Sequence, residues 1–242
     1  MCNTDGRAAL ERARAEALIE RAVSGVAMLQ YTGAPAVLDE LRGARVPVVV
    51  VSCWDERADC VAVDDAAGAA TAVEHLHALG HRRIAHATGR LVEEATREAR
   101  YAGYERAMTE RGLTPRRADA DALSERTASS GRRLRGLVGR PDGLTAFTTG
   151  NDVMAVRLMD ALEDAGLRVP DDVSIVGFDG IELGGWSRIG LTTVAQPRAE
   201  LVARGLELLV ARMDGAAAEP GGRHVRLPAQ LVVRSSTAPP SR

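Results

Sequence analysis

The chain has 242 residues and is 45% hydrophobic, which is enough for a core of one large domain or two modest domains. Its formal net charge is −2, and all 31 basic residues are arginines dispersed among 33 acidic residues, so the sequence has no broad positive surface of the kind that binds nucleic acid. No apolar stretch reaches the roughly eighteen residues of a membrane span, and the first residues do not resemble an export signal, so we expect a cytoplasmic protein that does not contact membranes.

Along the chain, amphipathic helices alternate with apolar strands, and most of the helices end at a glycine, a pattern typical of βαβ units and a mostly parallel sheet. The chain opens directly into a helix, where a doubly wound sheet would open with a strand. A Gly/Ala/Pro-rich connector over 214–222 leads to an extended segment over 224–234, and we expect the residues from Ser235 onward to be frayed. The sequence predicts helices over 35–42, 65–79, 93–111, 152–165 and 198–213, and strands over 46–51, 84–87, 144–148 and 173–178.

The common fingerprints of catalysis and cofactor binding are absent. The sequence contains no GxSxG, HExxH, GxxxxGK[ST] or GxGxxG, which argues against an enzyme and against a bound cofactor. His77 and His81 are four residues apart, but a glycine between them should end the helix, so we expect both to satisfy local polar contacts rather than to bind a metal. Cys2, Cys53 and Cys60 have no CxxC spacing and are expected to be reduced thiols.

Polar residues follow two of the predicted parallel strands, at the edge where open α/β sheets bind ligands. Asn151 comes after the strand over 144–148, and Asp179 ends the passage that contains the strand over 173–178. Each has a simpler interpretation, since Asn151 could cap the next helix and Asp179 could be a turn residue. Arg100, inside a charged helix, is by default a solvated side chain. Local rules therefore leave these three residues undecided.

Several passages stand in a fixed order over nearly the whole chain. They are VDD at 63–65, LGHRRI at 79–84, RYAGY at 100–104, NDVMA at 151–155, GLRVPDDVSIVGFD at 166–179 and TTVAQP at 192–197. In this order they resemble the effector-binding core of LacI/GalR-type bacterial transcription regulators, and the passage that ends at Asp179 is the most specific of them.

The resemblance implies a periplasmic binding protein-like fold of type I, an α/β fold with two doubly wound parallel-sheet lobes joined by three crossover strands. A small ligand, commonly a sugar, would lie in the cleft between the lobes. We expect an amino-terminal lobe over 1–88 and 197–225, with its first strand and helix missing, and a carboxyl-terminal lobe over 89–196 and 226–238. No helix-turn-helix domain is expected in this chain.

The resemblance also assigns candidate effector-binding residues. Arg100, Asn151 and Asp179 fall on the family's effector contacts, and Gln196 falls near the last crossover. Trp186 occupies a position that is typically aromatic, and Trp54 could supply an apolar face to the ligand or could equally serve packing. Ser52 and Cys53 stand where many members carry Asp-Arg, so one anchoring carboxylate is absent and a simple hexose or pentose becomes less certain as the ligand.

The function implied is that of a homodimeric regulator, most simply a repressor, in which a carbohydrate-like effector shifts the lobes and thereby changes operator affinity. Contact with operator DNA would require the amino-terminal domain that this chain lacks. One alternative is a transport-type sugar-binding protein of the same fold, and another is a truncated and inactive regulator. An enzyme that reuses the scaffold is a third alternative, because fold alone does not fix function.

Overall fold

The computed structural model describes residues 4, 7–29, 35–215 and 221–241, which form two compact units. One unit contains the residues up to Val63 and Pro197–Leu227, and the other contains Asp64–Gln196 and the residues from Pro228 onward. The helices of the described residues are α1 (Ala8–Glu20), α2 (Pro35–Gly43), α3 (Asp65–Ala78), α4 (Glu94–Glu110), α5 (Ala120–Leu123), α6 (Ala128–Val138), α7 (Asp152–Asp164) and α8 (Arg198–Met213). The strands are β1 (Val26–Leu29), β2 (Val48–Val51), β3 (Asp59–Val63), β4 (Ile84–Thr88), β5 (Arg117–Asp119), β6 (Ala146–Thr149), β7 (Ser174–Asp179), β8 (Thr192–Ala195), β9 (His224–Leu227) and β10 (Gln230–Val232).

The first unit is a parallel sheet in the order β1-β2-β3-β9. β2 is four consecutive valines, all buried, as predicted for a strand covered on both faces. Val37, Leu38 and Leu41 of α2 are at most 1% exposed and belong to the same core cluster as Val48 and Val50. The first unit therefore has a hydrophobic core of its own.

A buried ion pair also stabilises the first unit. Asp59, at the start of β3, accepts hydrogen bonds from the Nε and Nη2 of Arg212 at 2.5 and 2.7 Å and from the backbone N–H of Arg223 at 2.6 Å. The Asp59 side chain is only 4% exposed. This pair connects α8 to the sheet and to the segment that precedes β9.

The second unit is a larger sheet in the order β10-β8-β7-β6-β4-β5. Its strands are parallel except for β10, which pairs antiparallel with β8. Phe147, Leu158 and Ile175 are fully buried within its core. The predicted α/β class with parallel sheets is confirmed.

The units divide the chain at a different point from the one expected for the lobes. α3 and β4 were assigned to the first lobe, but both lie in the second unit. β4 pairs with β6 and with β5, and α3 packs mainly on α4. The hydrogen bonds of β4 and the packing of α3 on α4 therefore place both elements in the second unit, so the boundary falls before α3, after Val63. The first unit also extends to Leu227, two residues beyond the expected limit.

The expectation that the chain frays from Ser235 onward is wrong. Ser236 is 2% exposed, and its backbone oxygen accepts a hydrogen bond from Ile175 N at 2.9 Å, while its own N–H donates to Gly190 O at 3.0 Å. The carbonyl of Ala238 accepts a hydrogen bond from Ser174 Oγ and bonds to His81 Nε2. The tail is thus a packed part of the second unit.

Cys53 and Cys60 are buried and form no disulfide, as predicted for reduced thiols, whereas Cys2 and part of the connector over 214–222 lie outside the described residues. Within the described ranges no helix is both long and apolar enough to cross a membrane.

Candidate functional site

The carboxyl ends of β4, β6, β7 and β8 lie at one edge of the second sheet, because these strands are parallel neighbours. The register places Ala87 opposite Thr149 and Asp179 opposite Ala195. Thr88, Asn151, Asp179 and Gln196 therefore come from the same edge, as predicted for Asn151 and Asp179. We call these residues, together with Asp65, Arg100 and Asp152, the edge cluster.

Arg100 is buried and connects three elements. It is only 4% exposed, so the default interpretation of a solvated side chain is wrong. Its Nε donates to Asp65 Oδ1 at 2.7 Å, its Nη1 donates to Gly150 O at 2.5 Å, and the same Nη1 lies 3.3 Å from Asp179 Oδ1. The guanidinium carbon stands 3.7 Å from the centre of the Phe178 ring. Arg100 thus fixes the positions of two carboxylates.

Asp65 belongs to this cluster although it was not among the predicted site residues. The preceding Asp64 caps α3 by accepting a hydrogen bond from Ala67 N, so Asp65 does not serve as the cap and is directed to Arg100. Burial raises the pKa of Asp65, against the attraction of the Arg100 charge. The sequence signal that could have indicated Asp65 is the adjacent acidic pair Asp64-Asp65. Only one carboxylate is needed to cap a helix, so the second is available for another contact.

Asp179 is the last residue of β7 and has an unusual backbone conformation. Its φ is +111°, in the region that favours glycine. Its side chain is 22% exposed, and Oδ1 accepts a hydrogen bond from Gln196 Nε2 at 2.8 Å. Asp179 is therefore the member of the Arg100 network whose carboxylate reaches solvent most, compared with 11% for Asp65.

Two buried oxygens at this edge have no hydrogen-bond partner among the described residues. They are Oε1 of Gln196 and Oγ1 of Thr88, and Thr88 is 5% exposed. A buried polar atom left without a partner costs about 1–3 kcal/mol. The edge therefore has hydrogen-bonding capacity that a polar ligand or water would satisfy.

Asn151 caps the next helix, which is the simpler of its two interpretations. The same residue can still contact a ligand at the edge. Its Oδ1 accepts a hydrogen bond from Met154 N at 2.8 Å and caps α7. Within the described residues, none of the hydrogen bonds uses its Nδ2. The residue is 9% exposed. Capping thus explains the oxygen of Asn151 and leaves its amide nitrogen to act as a donor at the edge.

Asp152, the first residue of α7, is completely buried. Its carboxylate accepts hydrogen bonds from Ile181 N at 2.7 Å and from Thr193 Oγ1 at 2.5 Å. Burial, together with the negative charge of Asp179, raises the pKa of Asp152 to about 6. Asp152 therefore connects α7 to β8 and to the chain that follows β7.

The two tryptophans predicted as site residues belong to different units. Trp54 lies in the first unit, where the Arg226 guanidinium carbon is 4.0 Å from its ring centre and the His224 ring is 4.9 Å away. These contacts favour the packing interpretation. Trp186 follows a short 3-10 helix (Glu182–Gly185) and is 60% exposed. No ring contact within the described residues connects Trp186 to the cluster.

Four of the five histidine rings form hydrogen bonds, whereas none is found for the His77 ring among the described residues, so the expected polar contact holds for His81 and not for His77. His81 bonds to Thr145 Oγ1 and Ala238 O, and His75 bonds to Thr237 Oγ1. His86 is 1% exposed and bonds through Nδ1 to Thr148 Oγ1 at 3.0 Å. Burial lowers the pKa of His86 to about 3, so the ring is neutral near pH 7. Across the described part of the chain, no three metal-binding side chains come together.

The edge cluster combines one guanidinium with three carboxylates, two amides and a hydroxyl. Such a set accepts hydrogen bonds through the Asp65 and Asp179 carboxylates and the Gln196 oxygen, and donates through Asn151 and Arg100. The excess of carboxylates opposes a negatively charged ligand. The geometry suits an uncharged molecule with several hydroxyl groups.

Comparisons with known proteins show which proteins this chain resembles. Residues 73–237 match the family described as "Periplasmic binding protein-like domain". The HTH-type transcriptional repressor PurR of Photobacterium profundum is 30% identical over 98% of this chain and 71% of its own length. The ribose operon repressor of Escherichia coli (strain K12) is 32% identical over 88% of this chain and 65% of its own length. This chain therefore spans about two thirds of the length of the curated relatives it matches.

A solved structure gives a similar result for the fold. The periplasmic binding protein/LacI transcriptional regulator from Alkaliphilus metalliredigens QYMF, complexed with D-xylulofuranose, superposes with a TM-score of 0.81. The match covers 98% of this chain and 86% of that one, with 26% sequence identity.

Proposed function

Because the chain belongs to the LacI family of transcriptional regulators, and residues 73–237 to its periplasmic binding protein-like domain, we propose that it is the effector-binding core of a repressor and binds a small sugar-like effector at the edge cluster. The function lies in reversible binding rather than in catalysis.

The observation that carries the proposal is the network of Arg100, Asp179 and Gln196. Arg100 holds one oxygen of the Asp179 carboxylate, and Gln196 donates to the same oxygen while its own Oε1 remains without a partner among the described residues. A ligand hydroxyl can donate to the Asp179 carboxylate and another to Gln196 Oε1. Hydrogen bonds to a charged group contribute about 1.5–3 kcal/mol each.

The charges of the cluster define the class of effector. Asp65 and Asp179 together offset the single positive charge of Arg100, and Asp152 adds a further carboxylate nearby. A phosphate or carboxylate on the ligand would meet net repulsion, so we expect an uncharged sugar. D-Xylulofuranose, the ligand of the solved relative, is uncharged, and another relative is a ribose operon repressor.

The finer features of the regulator are part of the proposal. We expect the full-length protein to be a cytoplasmic homodimer that contacts its operator through an amino-terminal DNA-binding domain. Effector binding would shift the population between conformations that differ in operator affinity. The share of relatives that the chain spans, 65 to 71%, leaves room for such a domain in those proteins.

The proposal is tested by Asp179→Ala in calorimetric titrations with D-ribose and D-xylulose. Loss of the partly exposed acceptor should weaken binding at least about tenfold, since one charge-assisted hydrogen bond corresponds to about that factor or more. The carboxyl-terminal unit should remain folded, because Asp179 lies at the end of its strand. Circular dichroism checks this point.

Asp164→Ala serves as the matched control, because it removes another aspartate of the same unit, which is 46% exposed and pairs with Arg126. This variant should bind like the wild type. Unchanged affinity in Asp179→Ala would refute the assignment of the edge cluster as the effector site.

A further inference from the structure

Asp152 is a carboxylate that a ligand at the edge cannot reach, since it is 0% exposed. Helix capping does not explain it, because Asn151 caps α7. Its two oxygens instead accept hydrogen bonds from Ile181 N and from Thr193 Oγ1, and the Gly180 N–H also faces the carboxylate. Burying a carboxylate costs free energy unless its oxygens are hydrogen bonded, and these donors offset that cost.

The donors that Asp152 engages belong to the segment that shapes Asp179. Asp179 and Gly180 have φ values of +111° and +71°, so the chain makes a strained turn directly after β7. A non-glycine residue persists in such a conformation only when surrounding contacts hold it. The Asp152 carboxylate accepts a hydrogen bond from Ile181 N and also faces the N–H of Gly180. It is therefore placed to hold the turn.

The packing around Asp152 leaves little freedom for another arrangement. A Cβ on Gly177, in β7, would lie 2.2 Å from Asp152 Oδ1, closer than any real contact. Thr193, in β8, holds the same Oδ1 from the neighbouring strand. The carboxylate is thus confined between β7, β8 and the turn.

We propose that Asp152 is a positioning residue for the effector site, whose buried carboxylate fixes the turn at Gly180 and Ile181 and thereby sets where the Asp179 carboxylate lies. This inference rests on the proposed function of the edge cluster and adds to it a residue that acts without touching the ligand.

Protonation of Asp152 should loosen the turn. It leaves the carboxyl uncharged, and hydrogen bonds to an uncharged acceptor are roughly half as strong as those to a charged one. The charged group that faces Asp152 is Asp179 of β7, itself paired with Arg100 of α4, while β8 contributes the Thr193 hydroxyl. Since burial raises the pKa of Asp152 to about 6, the turn should be held less firmly at pH 5 than at pH 7.5.

The experiment uses Asp152→Asn, which keeps the shape of the side chain but cannot ionise, and Asp164→Asn, at the other end of the same helix, as control. The first measurement is hydrogen exchange of the turn over residues 179–181, without ligand. We expect faster exchange there in Asp152→Asn than in the wild type and in Asp164→Asn. Equal exchange rates would overturn the inference whether or not any sugar binds.

The second measurement is the calorimetric affinity for D-ribose and D-xylulose between pH 5 and pH 7.5. The wild type and Asp164→Asn should lose about fivefold in affinity on acidification, which corresponds to about 1 kcal/mol, whereas Asp152→Asn should be weak and nearly independent of pH. A purely structural role would change stability but not this profile. Wild-type binding that matches Asp152→Asn at every pH would overturn the inference, while failure of the wild type to bind either sugar would count against the proposed function itself.

Discussion

Arg100 has partners that are remote in sequence, and this explains why local rules could not place it. Asp65 is 35 residues away and Gly150 is 50 residues away. The helix around Arg100 is rich in charged residues, so its pattern indicates a solvated face. Only the resemblance of RYAGY to a family passage pointed to a site role, and Asp65 was missed because an aspartate at a helix start already has an explanation.

His86 makes a testable contribution to the pH dependence of stability. Burial lowers its pKa to about 3 from an ordinary value of 6.5, so the folded protein keeps the ring neutral where the unfolded chain would protonate it. The stability from this group is complete above pH 6.5 and is lost as the pH falls towards 3. Each pH unit within that window costs about 1.4 kcal/mol.

His86→Gln, which cannot titrate, should remove this dependence. Between pH 7.5 and pH 5.5, the wild type should lose about 1.4 kcal/mol more of its free energy of unfolding than the variant, as measured by urea denaturation. The raised pKa values of Asp65 and Asp152 act in the opposite direction in both proteins and cancel in the comparison. Parallel pH curves for the two proteins would contradict the prediction.

At the level of elements, the contact between α3 and α4 depends on Gly103. A Cβ on Gly103 would lie 2.1 Å from the backbone oxygen of Ala66, so any side chain must push the two helices apart. Asp65 begins one of these helices and Arg100 lies in the other, so their 2.7 Å hydrogen bond would lengthen as well. Gly103→Ala should therefore reduce both stability and effector affinity.

We expect Gly103→Ala to cost about 1–3 kcal/mol, the usual range for overpacking, in a urea titration. Gly136→Ala in α6 is the control, because nothing lies within 4 Å of the added Cβ. That change should be neutral or stabilise the protein by up to about 1 kcal/mol, since alanine favours a helix over glycine. If the two variants behave alike, close packing of α3 on α4 is not important for stability.

The elements that the sequence predicted are those with strong patterns. The valines of β2, the apolar run of β7 and the helices that end at glycine were all predicted, and the bounds of α8 agree with the expected 198–213. β1, β3 and β8 were not predicted as strands. β3 begins with the charged Asp59, whose burial depends on Arg212, 153 residues away. The tail was predicted to be frayed because its partners, Ile175 and Gly190, are also remote in sequence.

For the molecule as a whole, the sequence predicted several of the strands but not which sheet each of them joins. β4 was expected in the first lobe and lies in the second unit, because its hydrogen-bond partners are β5 and β6. The hydrophobic periodicity of a strand indicates which of its two faces are buried. Sheet membership depends instead on the backbone hydrogen bonds that the strand makes along its edges. This error in the lobe boundary does not separate the predicted site residues, because Asn151, Asp179 and Gln196 lie at the ends of strands of one sheet.

The separate cores of the two units predict separate responses to a mutation. Asp59→Asn breaks the buried pair with Arg212, and removing one partner of such a pair costs about 3–5 kcal/mol. The chain has two tryptophans, Trp54 in the first unit and Trp186 in the second, so single-tryptophan variants report each unit by fluorescence.

In urea, Asp59→Asn should move the transition seen by Trp54, in a Trp186→Phe background, to a lower concentration. The transition seen by Trp186, in a Trp54→Phe background, should stay where it is. Equal shifts of both transitions would show that the units unfold as a single cooperative system.

The packed tail has a consequence for how the second unit folds while the chain is being made. β8 lies between β7 and β10, and β10 and the tail after it are made later than every other strand of this sheet. Until they emerge, β8 presents an open edge, which is a template for pairing with a neighbouring nascent chain. The second unit is thus complete only once the tail after β10 has been made, and chaperone binding before that point should be concentrated on this edge.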